Sequence, residues 1–158
     1  MAIIKPNNNT LSAITALPTG LGGKVLQVVS TATNSFENTT STSFVSIPNF
    51  SVNITPSATS SKIFIMSTFT MYQNVSGKSA YVSLYRDTTD LSTNNKFINV
   101  WDETGRTIGN PAAVSYLDSP SSTSQITYAL YYKTESGGRT YINYDSSQGS
   151  ITAYEIAG

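Results

Sequence analysis

Tyr116-Leu117-Asp118-Ser119-Pro120-Ser121-Ser122-Thr123-Ser124 leads into Ile126-Thr127-Tyr128, then Ile142-Asn143, then a terminal Ile151-Thr152-Ala153-Tyr154-Glu155-Ile156-Ala157-Gly158. Read physically, this is strand, Pro/Ser turn, long strand, Gly-Gly turn, strand, turn and last strand. β-branched and aromatic residues fill the extended positions, while Pro, Ser and Gly fill the bends. A chain that ends inside its own sheet is expected to have that end packed in the core, because an unanchored terminus frays.

Working back toward the start, the same grammar continues. Lys62 to Gln73 is the longest run, with Ile63, Ile65, Phe69 and Met71 on one face and Phe64, Met66 and Tyr72 on the other. Apolar residues on both faces predict a strand covered on both sides. A two-sheet sandwich covers one face only, so the second needs another partner. Val25–Val29, Ser43–Ile47 and Phe50–Ile54 read as strands, the last two alternating around Pro48 and stopping at Pro56. Further strands are predicted at Ala80–Arg86, Phe97–Trp101, Ala112–Leu117, Gln125–Lys133, Thr140–Tyr144 and Ser150–Ile156. Tyr128, Leu130 and Tyr132 share a face, as do Tyr81 and Tyr85, which reads either as ordinary sheet packing or as a subunit contact. Residues 87–111 are the most polar and predict long end loops.

Many short strands at turn-punctuated intervals, with no internal repeat, give an all-β fold: a single antiparallel β-sandwich of jelly-roll type over residues 24–158. Residues 1–23 stand apart. Leu11, Ile14 and Leu17 allow one or two helical turns after Asn9 or Thr10, and Pro18-Thr19-Gly20-Leu21-Gly22-Gly23 reads as a linker. This segment is either a disordered leader or an extended arm that anchors the sandwich to a neighbouring subunit or assembly; the anchor is the reading adopted.

Composition narrows the function. Hydrophobic residues at 39% can build a core across 158 residues, whereas charged residues at 11% fall well below the usual share. Nine basic residues balance nine acidic ones, so no basic surface for nucleic acid is expected. There is no Cys and no His, which removes disulfides, Cys/His zinc sites and His-based nucleophilic catalysis. No basic-then-apolar leader and no apolar run of about 18 residues are visible. A polar, charge-poor surface without an export signal fits a protein made in a host cytoplasm and released as part of a virus particle.

The YLDSP-like turn at Tyr116–Pro120, the Thr127-Tyr128 strand and the Glu155-Ile156-Ala157-Gly158 ending resemble the C-terminal domains of bacteriophage fibre and virion-surface proteins, over roughly residues 112–158. The resemblance implies a tumour-necrosis-factor-like jelly roll, which is usually a trimer.

Three sets of residues could carry chemistry. Trp101, Asp102, Glu103 and Arg106 could bind a sugar, the indole stacking and the acids bonding hydroxyls; the plainer reading makes Trp101 a core or interface plug. A glycosidase needs two converging carboxylates, and Asp102 and Glu103 would need a third acid such as Asp87 or Asp90. Asp87 and Asp90 lack the further acids of a calcium loop. Phe64, Met66, Tyr72 and Glu155 are the expected oligomer contacts, with Lys62, Arg86 or Arg139 partnering Glu155 if the final strand lies near an oligomer axis. Asp118 is expected to bond its own turn. Sequons at Asn8, Asn38, Asn49, Asn53 and Asn74 are what so Asn- and Thr-rich a chain gives by chance.

The expected function is therefore a non-enzymatic bacteriophage virion structural protein, homotrimeric, anchored through residues 1–23, without cofactor or metal. It would sit on the particle surface as capsid decoration, head fibre or tail-fibre tip, and could adhere to host glycans. The alternatives are a carbohydrate-binding module and a glycan-degrading enzyme.

Overall fold

The fold is that of a computed structural model, which describes residues 24–104 and 109–158. The arm expected at 1–23, and Arg106, lie outside the described residues. Eleven strand segments follow in order: β1 Val25–Thr33, β2 Glu37–Thr39, β3 Val45–Ile54, β4 Lys62–Gln73, β5 Lys78–Arg86, β6 Thr89–Asp90, β7 Ile98–Asp102, β8 Asn110–Asp118, β9 Ile126–Thr134, β10 Thr140–Ile142 and β11 Gly149–Ile156. All pairings are antiparallel.

Three pairs of segments are single strands broken in the middle. β11 and β10 lie along one edge of β4, against Lys62–Thr68 and Met71–Gln73, and β1 and β2 continue outward from them. β6 and β7 likewise share one edge of β5. Eleven segments thus reduce to eight strands. In chain order, the first sheet runs first, eighth, third, sixth, and the second runs second, seventh, fourth, fifth. The chain crosses between sheets at nearly every connection, which is the jelly-roll path.

Alternation explains the core. β9 alternates buried and half-buried along all nine residues, sending Ile126, Tyr128, Leu130 and Tyr132 inward. Phe50, Ile54, Ile63, Ile65, Met71, Leu84, Leu130 and Ile151 are all fully buried between the sheets. The terminal strand β11 lies inside its sheet, between β1 and β4, as its sequence predicts.

Two boundaries differ from the sequence reading. The segments expected on either side of Pro48 form one strand, β3, whose register shifts between Ser46 and Ser51. Pro cannot donate to a ladder, so a bulge absorbs it, with Asn49 at φ 61. The strand expected at Thr140–Tyr144 stops at Ile142, where Asn143 turns left-handed and a short 3-10 turn, Tyr144–Ser146, follows. The Asn143 amide donates to the carbonyls of Thr33 and Ser35 at 3.3 Å each, so the break between β10 and β11 is tied to the break between β1 and β2.

Candidate functional site

The acids do not converge. Asp102 ends β7 and accepts hydrogen bonds from the Thr104 backbone and hydroxyl at 2.7 and 3.0 Å, a local turn. Glu103 is exposed, and its backbone carbonyl accepts from the Ser76 hydroxyl. Asp102 is opposite Lys78 and Asp90 opposite Tyr85; those positions on β5 lie about 23 Å apart at strand rise. Asp90 is occupied by the Ser83 hydroxyl at 2.6 Å and the Ser92 N–H at 2.9 Å. Asp87 caps β9 through the Thr127 N–H at 3.0 Å. Two shallow hollows of about 390 and 400 Å³, which share Gln148, have no acidic or basic side chain in their walls.

The buried acids serve the fold. Asp118 does not bond its own turn. It receives the Arg86 guanidinium at 2.9 Å and the Tyr128 hydroxyl at 2.6 Å, pinning the end of β8 to β5 and β9. Burial, and then that bond to Asp118, push the Tyr128 hydroxyl far above its ordinary pKa. Glu155 faces inward at 1% exposure. Among the described residues no cation reaches it; the Ser57 N–H and hydroxyl, the Ser61 hydroxyl and the Gln27 amide donate to it at 2.6–2.7 Å. Burial acts to raise its pKa, but those donors outweigh burial and hold the carboxyl at about 2.

The outer face of the first sheet presents a different chemistry. One cross-strand row reads Val28, Tyr154, Phe64, Leu117, and the next Ser30, Thr152, Met66, Ser115. Val28, Met66 and Leu117 are 54, 46 and 48% exposed, and Phe64 is half-buried against Tyr154. Among the described residues that these registers place outward on β1, β11, β4 and β8, Lys62 alone is charged. Tyr72, at the far end of the same face, is covered by its own chain: Tyr141 stacks on it at 4.4 Å and Tyr144 meets it edge-on at 5.0 Å.

The outer face of the second sheet is aromatic and cationic. Tyr81 is opposite both Asn99 and Lys133, and Trp101 is opposite Ser79, so these side chains share a face. Trp101 is 56% exposed and is not a core plug. Tyr85 stacks on Tyr131 at 4.0 Å and meets Phe44 at 6.1 Å. The Lys133 ammonium lies 4.5 Å from the Phe44 ring centre and 5.3 Å from that of Tyr81, with Lys96 5.2 Å from Tyr81. Glu135 accepts from the Tyr81 hydroxyl at 2.9 Å and the Ser79 N–H at 3.1 Å; the Tyr81 bond is the main cause of its lowered pKa.

No protein-family model matches the chain, and no curated protein sequence does. Solved structures are similar in strand arrangement. The infectious bursal disease virus VP2 subviral particle is 19% identical over 85% of this chain, at a TM-score of 0.43. The infectious bursal disease virus Gt strain structure is 16% identical over 92% of this chain, at 0.44. The chain spans 38 and 42% of the length of those two proteins. At this level the likeness adds nothing to the jelly-roll path already read from the strand order.

Sequence parity found the inward and outward sides of β4, β5 and β9. It missed how Phe44, Lys96, Lys133 and Trp101 gather around Tyr81. That grouping depends on which strands become neighbours. The alternation of Tyr81 and Tyr85 with Val82 and Leu84 was the available signal of an aromatic outer face.

Proposed function

We propose that the chain is a non-enzymatic structural subunit of a virus particle, self-assembling through the outer face of the first sheet. The observation that carries the self-assembly is that face itself, which combines exposed Val28, Met66 and Leu117 with, among the described strand residues, a single charge at Lys62. Exposed apolar patches mark association surfaces, and loss of charge from the centre of a patch lowers the desolvation cost of joining. The virion setting rests on the charge-poor composition and the C-terminal resemblance. In its finer form the reading is a bacteriophage homotrimer displayed on the particle surface, with residues 1–23 as its anchor.

The assembly claim is tested by sedimentation equilibrium at micromolar concentration. The wild-type protein is expected as a trimer, and Leu117→Lys or Met66→Lys is expected to give a folded monomer, with Phe64→Asp either dissociating it or preventing folding. A wild-type protein that is well folded and monomeric overturns the claim.

A further inference from the structure

The second sheet's outer face is not a second copy of the first. It carries the exposed Trp101 ring, the half-buried rings of Tyr81, Tyr85, Tyr131 and Phe44, and ammonium groups that form no ion pair among the described residues. Among the described residues the ion pair is Arg86 with Asp118, at the other end of the sandwich from Trp101. Lys96 and Lys133 instead flank the ring of Tyr81 at 5.2 and 5.3 Å. Glu135 is engaged by Tyr81 and Ser79 and lies near Lys78, and Asp90 is engaged by Ser83 and Ser92. Glu135 and Asp90 are therefore occupied, Glu103 is exposed beside Trp101, and Lys96 and Lys133 form no ion pair among the described residues.

We propose that this face binds an acidic polysaccharide, one whose sugar rings carry carboxylates. Trp101 and Tyr81 are diagonal neighbours across β7 and β5, about 7–8 Å apart at the backbone. From Trp101, opposite Ser79, to Tyr85 the ring-bearing positions span about 20 Å along β5, long enough for several sugar rings, with Ser79 and Ser83 themselves buried beneath. A pyranose presents a flat C–H face that packs on an aromatic ring, and its hydroxyls bond short polar side chains such as exposed Asn99. A carboxylate on that sugar would meet Lys96 or Lys133, whose charge is held in place by the rings beneath it. Two unpaired lysines are too few for a nucleic-acid backbone, which draws its affinity from many phosphates.

The inference deepens the structural reading by naming what the displayed surface holds. It is separable from that reading because the two faces lie on opposite sides of the sandwich. Leu117→Lys should break assembly and keep polysaccharide binding, while Trp101→Ala should do the reverse. Trp101 is the one Trp in the chain, so its emission reports directly on this face.

Oligogalacturonate is the probe, followed by Trp emission for the wild type and by calorimetry for every variant, with thermal melts confirming folding. Saturable binding is expected with a shift in emission. Trp101→Ala should weaken it about tenfold, and Lys133→Gln or Lys96→Gln about three- to fivefold. The methyl-esterified, neutral oligomer should bind about tenfold more weakly than the acid. Absence of binding overturns the proposal, as does equal binding of the ester or of Trp101→Ala. Polyglutamate binding as tightly as oligogalacturonate also overturns it, in favour of an acidic protein partner. A Trp101 emission already typical of a buried indole in the free oligomer overturns it in favour of a second copy.

Discussion

Glu155 faces the interior from the last strand with no cation beside it among the described residues, and hydrogen bonding is what holds its pKa down. Four donors from Gln27, Ser57 and Ser61 converge on its two oxygens, joining β1, the β3–β4 loop and β11 at one end of the sandwich. Removing the acceptor leaves the buried Ser61 hydroxyl unpaired and strips the part-buried bonds from Ser57 and Gln27, so Glu155→Ala should cost about 2 kcal/mol in denaturant unfolding. The pH dependence has a definite sign. The folded carboxyl sits at about 2 against an ordinary 4.5, so the charged form is the one the fold favours. Its contribution is complete above about pH 4.5 and disappears as pH falls through about 2. Wild-type stability minus that of Glu155→Gln should therefore shrink across that window; a difference that stays constant would show that the charge does not matter. The sequence reading took Glu155 as an oligomer contact, whereas it is buried inside its own sandwich. Its partners were not legible either, because serines in a loop carry no periodic signal, and Arg86, one of the basic residues expected in that role, pairs with Asp118 instead.

At the scale of elements, the notable feature is that the first and last strands break at the same level. Asn143 closes both gaps by donating to Thr33 and Ser35, and Gly149 restarts the last strand where there is no room for a side chain. A Cβ on Gly149 would fall on the Phe50 ring and lie 2.8 Å from the Asn143 side-chain oxygen. Gly149→Ala should destabilise the protein by about 1–3 kcal/mol, because a packed core resists even one added methyl. Gly77 is the contrast: its φ of 70 is the strain there, since nothing lies within 4 Å of its added Cβ. A thermal melt of Gly149→Ala within a degree of wild type would mean that Phe50 relaxes freely. Strand existence was readable from alternation and turn residues, and β4 matched to the residue. The short segments β2 and β6, three and two residues long, were not. They are too brief to show a period and exist because a long neighbour offers them an edge.

At the scale of the whole molecule, the sandwich has two outer surfaces of opposite character, and this bears on how a subunit with a separate N-terminal segment would be held. Along the paired positions of β1, β11, β4 and β8, the first sheet's outer face carries Lys62 as its one charge. The second holds Lys96 and Lys133 among aromatic rings. The proposed association through the first would be driven by apolar burial, which salt does not screen, whereas the proposed charge-assisted binding at the second would weaken as the screening length falls from about 10 Å at 0.1 M salt to about 3 Å at 1 M. Since β1 begins at Val25 and the described residues from Ile47 to Ala153 build one continuous core among themselves, a chain lacking residues 1–23 should fold. It should also keep its oligomeric state unchanged between about 0.1 and 1 M salt, yet fail to join its parent particle. Sedimentation in both salts, together with a particle-incorporation assay, separates the two roles. Loss of the oligomer on truncation would transfer the assembly interface to the N-terminal segment, and full incorporation of the truncated chain would remove the anchor from it.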